Sequence, residues 1–226
     1  MHLGIIDTSG GLIELAISEG AWLVSASRIP HTKENARNIA VHFENLLAKA
    51  EKLGGLTHVV VGVGPGSFIG TRTGVSFANG YALGKGLPVV GLNSMWSRAV
   101  DFLLQDITPV VVRNARRHSF YIGAYNEKIL DGSPEGVLFE REAQLSECLE
   151  LLKELGKSAE SARQKRISVT TDSKEVYEAA IRAQTYLTFL TPSVVSLRGL
   201  AYIAQKVIER GATSFFAEPV YLRSPF

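Results

Sequence analysis

The stretch Gly62-Val63-Gly64-Pro65-Gly66-Ser67-Phe68-Ile69-Gly70-Thr71-Arg72-Thr73-Gly74 follows a buried-type β run, His58–Val63, and leads into a helix read over 70–86. Backbone amides at such a place can hold an anion. The loop nevertheless fails the two common phosphate-binding patterns. No Gly-Lys-Ser/Thr closes it, and the sixth position counted from Gly64 is Ile69, where a dinucleotide fingerprint has glycine. Nor is Ser67 a nucleophile elbow, because Pro65 and Ile69 stand where Gly-x-Ser-x-Gly requires glycines. Ser67 reads as the cap of the following helix. The glycines have a further explanation. Gly66, Gly70, Gly74, Ala78 and Ala82 recur every four residues and therefore share one helix face. Each helical glycine costs about 1 kcal/mol relative to alanine, so close packing must offset it. The backbone that approaches is either this chain's own sheet or a helix of another subunit.

Working outward, strand and helix patterns alternate. Leu3–Ile6 ends in the turn cluster Asp7-Thr8-Ser9-Gly10-Gly11, Leu12–Ser18 alternates, and Trp22, Val24 and Ala26 continue to Pro30. This predicts a three-stranded antiparallel meander. Thr32 caps a helix read to Leu53, with Ile39, Phe43, Leu46, Ala50 and Leu53 at three-four spacing. Pro88–Leu92 is a strand, and a helix capped by Asn93 or Ser94 fades near Asp106. The opening device then recurs: Pro109–Val112 is a strand, 113–119 a polar turn, and Phe120–Tyr125 the return strand. Helices are expected at 144–155, 174–184 and 196–210, with strands at 166–171 and 217–222 and an exposed loop or frayed helix at 156–165. Two halves that open alike suggest an internally duplicated α/β protein, divided into 1–103 and 104–226. The helix near 196–210 is expected to pack back on the first lobe.

The chain has 226 residues, enough for one large or two small domains, and a formal net charge of +2. The charge is evenly spread, which argues against an autonomous nucleic-acid-binding module. The one basic cluster, Arg113, Arg116, Arg117 and His118, leaves a weak RNA-docking reading open. Cys148 is the single cysteine, so neither an internal disulfide nor a cysteine-built zinc site can form, and a cytoplasmic location is expected. It reads as a core residue of an amphipathic helix. No metal site is expected. His31 and His42, eleven residues apart, would lie roughly 16 Å apart along a helix and cannot share an ion.

The block Gly64-Pro65-Gly66-Ser67-Phe68-x-Gly70-x-Arg72-x-Gly74, followed by Ala78, Gly80, Ala82 and Leu87-Pro88-Val89-Val90-Gly91, resembles the TsaB (YeaZ) family of tRNA threonylcarbamoyladenosine biosynthesis subunits. Ile5-Ile6-Asp7-Thr8-Ser9 is similar to that family's first strand. Asn114-Ala115-Arg116-Arg117 with Tyr121 is similar to its second-half hairpin, and Pro219-x-Tyr221-Leu222-Arg223 to its C-terminus. Relatives often carry Asp where this chain has Asn114.

The resemblance implies an α/β fold of the actin, sugar-kinase and Hsp70 type (ribonuclease H-like): two related lobes of mixed sheets flanked by helices. It implies a non-catalytic companion of the transferase TsaD, in an assembly completed by the ATPase TsaE. That assembly modifies the adenosine beside the tRNA anticodon. TsaD would be met through the helices at 32–53 and 70–86, with Asn35, Ile39, His42, Phe43, Leu46, Gly70, Gly74, Ala78 and Tyr81 as candidate contacts. No firmly bound cofactor is expected on this chain, with ATP or ADP and a metal on TsaD or between subunits. The chain alone would pair as a homodimer, with tRNA contacted only indirectly and no membrane involved.

Chemistry on the chain itself lacks parts. Asp7, Thr8 and Ser9 could form a first phosphate turn, with Asp7 holding Mg²⁺ through water. The second-half counterpart, 113–117, has neither acid nor glycine. Asp7 is therefore read as a turn-forming or vestigial residue. A kinase-like phosphotransferase using Asp7 is the alternative, and a peptidase-like protein a weaker one.

Overall fold

The computed structural model describes residues 1–115, 118–162, 167–183, 187–190 and 196–222. The chain forms two compact units. The first comprises Met1–Ser97, Leu130–Gly132 and Val195–Tyr221, and the second Arg98–Ile129, Ser133–Val194 and Leu222–Phe226.

In the first unit, β1 (His2–Asp7), β2 (Leu12–Glu19) and β3 (Trp22–Pro30) form the antiparallel meander. β4 (His58–Gly62) pairs parallel to β1, and β5 (Val89–Leu92) parallel to β4, which gives the order β3-β2-β1-β4-β5. The central strands are apolar on both sides because both faces are covered. On one face Ile6, Ile13, Leu15, Ile17, Val59 and Val61 pack with Phe43, Leu46, Val75, Ala78 and Ala82. These come from α2 (Ile39–Lys49) and α3 (Phe68–Lys85). α7 (Leu197–Glu209) also packs on this sheet, with Leu197, Leu200, Ala201, Ile203 and Ala204 buried.

The second unit repeats the plan. β6 (Thr108–Asn114), β7 (Ser119–Tyr125) and β8 (Val137–Gln144) are antiparallel neighbours. β9 (Ile167–Thr171) runs parallel to β6, and β10 (Thr188–Leu190) parallel to β9, giving β10-β9-β6-β7-β8. Read from β8 to β10, this is the order of the first sheet. α5 (Leu145–Ala162) and α6 (Lys174–Arg182) pack on it through Cys148, Leu152, Val176 and Ala180. The duplicated two-sheet α/β architecture expected from the two hairpins is the one observed.

Several details differ from the sequence reading. The helix expected over 32–53 is two helices, α1 (Lys33–Arg37) and α2, followed by a 3-10 turn at Glu51–Leu53. Asn38 stands between them with φ −96° and ψ 14°. The break follows from burial: α1 has no buried residue, whereas α2 buries Ile39, Phe43 and Leu46. The loop expected after Leu155 is helical through Ala162. Gly156 continues the buried stripe of Cys148 and Leu152, four residues on, so it packs instead of terminating the helix. Residues 217–222 form no strand, because Ala217 bonds to the Asn79 side chain and not to a neighbouring strand. Strands β8 and β10 were not expected; β8 carries the polar run Glu140-Arg141-Glu142, which hides its period. The units divide between Ser97 and Arg98, inside α4 (Trp96–Leu103), and not after Leu103. Gly199 of α7 lies so close to the Ser97 carbonyl that an added Cβ would fall 2.5 Å from it, which ties the start of α4 to the first unit.

Candidate functional site

β1 ends in a turn that is wholly buried. Asp7 and Thr8 are 0% exposed and Ser9 is 1% exposed. The Ser9 amide and hydroxyl both donate to Asp7 Oδ1, at 2.8 and 2.7 Å. Thr8 Oγ1 donates to the Gly70 carbonyl at 2.6 Å, and the Ser67 amide donates to the Ser9 carbonyl at 2.8 Å. The turn is thus laid onto the start of α3. The glycines make room for it. A Cβ on Gly66 would fall 2.3 Å from the Ser9 carbonyl, on Gly70 2.1 Å from the Thr8 carbonyl, and on Gly74 2.3 Å from Thr8 Oγ1. The four-residue spacing therefore serves this chain's own backbone. Gly70 and Gly74 face the turn and Ala78 is 0% exposed in the core, so these three are not free contact residues.

Asp7 Oδ2 has no hydrogen-bond partner and no exposure. It faces Gly62, where an added Cβ would lie 1.9 Å from it and 2.7 Å from Ser94 Oγ. Oδ1 and the Ser9 hydroxyl are already engaged within the turn, and the Thr8 hydroxyl is engaged by the Gly70 carbonyl of α3. These groups do not fit a metal or phosphate as they stand. Among the described residues no group of three or more His, Cys, Asp or Glu side chains could hold a metal ion.

The corresponding place in the second unit, the end of β6, is built differently. Arg113 is 1% exposed, with Nε 3.6 Å from Asp172 Oδ2, and the Asn114 amide donates to Asp172 Oδ1 at 3.0 Å. Arg113 is thus buried with a carboxylate and is not placed to meet RNA. Arg116, Arg117 and Arg223 lie outside the described residues. Cys148 is buried, and desolvation, with Glu147 adding to it, pushes its thiol up to about 12.

The other expected contacts divide by depth. Ile39, Phe43 and Leu46 are core residues at 6%, 0% and 2% exposure and not surface anchors. Phe43 meets Phe77 edge-on at 5.5 Å and Tyr81 at 5.1 Å. Asn35 is used locally: its Nδ2 donates to the Pro30 carbonyl at 2.8 Å, and its amide donates to Thr32 Oγ1. His42 and Tyr81 are half-buried at the edge of this layer. Burial, and secondarily Glu44, raises the Tyr81 phenol above its ordinary value. The open surface is carried by residues that sequence reasoning missed, notably Val41, Ile69 and Leu83, exposed by 58%, 70% and 70%. The signal was present: Ile69 and Leu83 lie off the small-residue stripe, and once that stripe is assigned to the interior they must face outward.

Two residues of the first turns of α3 meet a third from far along the chain. The Arg72 guanidinium lies 3.7 Å from the Phe68 ring centroid, and Arg72 Nε donates to the Tyr221 hydroxyl at 2.8 Å. The Phe68 and Tyr221 rings are 5.5 Å apart. Ser67 caps α3 as expected, accepting from the Gly70 amide at 3.2 Å. Gly64 has φ +95°, and the Gly64–Pro65 peptide is cis.

Residues 30–213 match the family model for TsaD, tRNA N6-adenosine threonylcarbamoyltransferase. The tRNA threonylcarbamoyladenosine biosynthesis protein TsaB of Bacillus subtilis is 35% identical over 101 residues, covering 44% of this chain and 42% of that protein. The matched stretch thus spans less than half of that relative. Two solved structures cover nearly the whole chain. An uncharacterised Pseudomonas aeruginosa protein with similarity to peptidase YeaZ superposes with a TM-score of 0.74, at 18% identity over 98% of this chain and 99% of that one. YeaZ from P. aeruginosa superposes with a TM-score of 0.70, at 17% identity over the same shares. With a model match over most of its length and a likeness to the YeaZ fold covering 98% of it, the chain belongs to the tRNA N6-adenosine threonylcarbamoyltransferase (TsaD) family, as a relative of the TsaB/YeaZ type.

Proposed function

We propose that this chain is the non-catalytic companion of a TsaD-type transferase in the threonylcarbamoyl modification of the adenosine beside the tRNA anticodon. The observation that carries the proposal is the sealed Asp7–Ser9 turn inside a transferase-family chain. The hydroxyls of Thr8 and Ser9 are bonded within the chain and Gly66, Gly70 and Gly74 bring α3 against the turn, which supports a chain that leaves phosphate and metal to its partner. The likeness to the B. subtilis TsaB supports the pathway. The exposed apolar residues Val41, Ile69 and Leu83 on α2 and α3 support a protein partner. Nucleotide and metal belong in this reading to the transferase or to the contact with it, TsaE joins the larger assembly, and tRNA is held by the assembly. When alone, the same helices pair two copies of the chain. The place of action is the cytoplasm.

Mixing the purified chain with TsaD, followed by size exclusion and a threonylcarbamoyl-transfer assay on tRNA, tests this. Co-elution, with activity that requires both proteins, is expected. Failure to co-elute across a range of nucleotide and salt concentrations overturns the proposal, as does transfer activity by this chain alone.

A further inference from the structure

The segment that follows α7 runs back along α3 and is attached at four places. At the first, Val89 and Ser214 exchange backbone hydrogen bonds at 2.6 and 3.0 Å. At the second, the Asn79 carboxamide takes the place of a strand neighbour: its Nδ2 donates to the Ala217 carbonyl and its Oδ1 accepts from the Ala217 amide, both at 2.9 Å. The third is the Val220 amide donating to the Val63 carbonyl at 2.8 Å. The fourth is Tyr221, which accepts from Arg72 while Arg72 lies on Phe68.

Little else holds the segment. Ala217 is its one buried apolar side chain, whereas Phe215, Phe216, Val220 and Tyr221 are exposed by 77%, 57%, 42% and 38%. A hydrogen bond contributes, net, about as much as the ordering of one residue costs. These six bonds span eight residues, so attachment and release are close in free energy, which is the condition for local opening.

What the segment touches gives release a consequence. Val63 and Gly64 begin the glycine loop. On one side the loop is tied to β5 and the residues after it, through Val63 to Leu92 and through Gly64 to the Ser94 amide and hydroxyl. On the other it is tied to the β1 turn, through the Ser67 amide and the Ser9 carbonyl. Val220 closes it from outside, and a Cβ on Gly64 would fall 3.1 Å from the Val220 carbonyl. Without Val220 the Val63 carbonyl loses its partner from this segment. Asp7 Oδ2, buried and unpaired, then gains by meeting water, because an unsatisfied buried carboxylate oxygen is costly. Loss of the outer contact therefore lowers the cost of opening the loop and turn to water.

We infer that residues 214–221 are a releasable latch on the 62–70 glycine loop, and that the latch governs solvent access to the Asp7–Ser9 turn. The inference rests on these hydrogen bonds and does not depend on the function proposed above. Hydrogen–deuterium exchange on the full chain tests it, comparing the native sequence with Asn79→Ala and Arg72→Ala. Asn79→Ala removes one attachment without touching the loop or the turn, whereas Arg72→Ala removes another and also takes the guanidinium off Phe68 at the end of the loop, so Asn79→Ala is the deciding variant. The expected result is at least tenfold faster exchange in peptides covering 7–11 and 62–70, together with 212–222. Peptides from β2, β3 and the second unit keep their rates. Tyr221→Phe, which loses only the hydroxyl, falls between the native chain and Arg72→Ala. Acceleration confined to 212–222 overturns the latch, because the segment is then passive edge cover. Uniform acceleration throughout the first unit overturns it as well, because the segment is then part of the global fold.

Discussion

Thr8 and Gly70 are joined by a 2.6 Å hydrogen bond from the threonine hydroxyl to the glycine carbonyl, and the missing side chain of Gly70 is what lets the Thr8 backbone come that close. A Cβ at Gly70 would lie 2.1 Å from the Thr8 carbonyl oxygen, a backbone atom that no rotamer change can move. Gly70→Ala is therefore expected to destabilise the chain by about 3 kcal/mol, the upper range for overpacking. Gly80, in the same helix, has nothing within 4 Å of an added Cβ. There the ordinary helix preference returns, and Gly80→Ala is expected to stabilise by roughly 0.5–1 kcal/mol. Urea unfolding of both variants reads the difference. Equal effects would mean that the close approach does not set the requirement for glycine.

Under the proposed function, the layer containing α2 and α3 lets stability and partner binding be tested apart. Phe43 is fully buried against Phe77 and Tyr81, so Phe43→Ala is expected to cost about 3–5 kcal/mol whether or not a partner is present. Leu83 is 70% exposed and Val41 58%. Leu83→Asp and Val41→Asp are expected to leave the unfolding midpoint nearly unchanged while weakening TsaD binding at least tenfold by titration calorimetry. Unchanged binding in both aspartate variants would move the contact away from these helices.

The sequence made the repeat of strand, polar turn and strand legible because hairpin strands carry their period locally: Ile13, Leu15 and Ile17 alternate whatever packs on them. It did not show which side of the Gly66–Gly74 stripe was occupied. Spacing says that a backbone comes close, and only the register of Thr8 against Gly70 and Gly74 says whose backbone it is. Of the two readings that the spacing leaves open, a partner helix would turn Gly70, Gly74 and Ala78 outward, whereas the chain's own turn takes up Gly70 and Gly74 and leaves Ile69 and Leu83 exposed. Ile39, Phe43 and Leu46 carry the same ambiguity in sequence, since an apolar helix face looks alike whether it meets a sheet or a second protein, and burial places them in the core. The meeting of Arg72 with Tyr221, 149 residues later, has no local signature and emerges only from the fold.

Cys148 offers a pH test. Burial raises its thiol to about 12, so the folded protein keeps the proton where the unfolded chain loses it near the ordinary value of 9.0. Between those values the folded state binds more protons, and stability falls as pH rises. At pH 8 a thiol at the ordinary value is roughly a tenth thiolate, and the buried Cys148 thiol is far less ionised than that. Alkylation by iodoacetamide is expected to be at least a hundredfold slower than in denaturant, and Cys148→Ser is expected to flatten the loss of stability between pH 9 and 11. Fast native alkylation at pH 8 would show that the thiol is not held in the α5 core.

Asp172 closes the end of the second sheet as the Asp7 turn closes the first, but from a different strand. It follows β9, and its two oxygens serve neighbouring residues of β6: Oδ1 accepts from the Asn114 amide and Oδ2 faces Arg113. Arg113 is 1% exposed, so removing Asp172 takes a counter-charge from a guanidinium that water does not reach. Asp172→Ala is expected to cost about 2–3 kcal/mol, the range for a hydrogen bond to a charged group and its desolvated partner. Asp172→Asn keeps an acceptor for Asn114 and is expected to recover part of that loss but not the part due to charge. If Arg113 instead served RNA, Asp172→Ala would free it and raise tRNA affinity of the complex with TsaD. The expected result is unchanged affinity at a lowered unfolding midpoint, measured by tRNA filter binding and denaturant titration on the same variant.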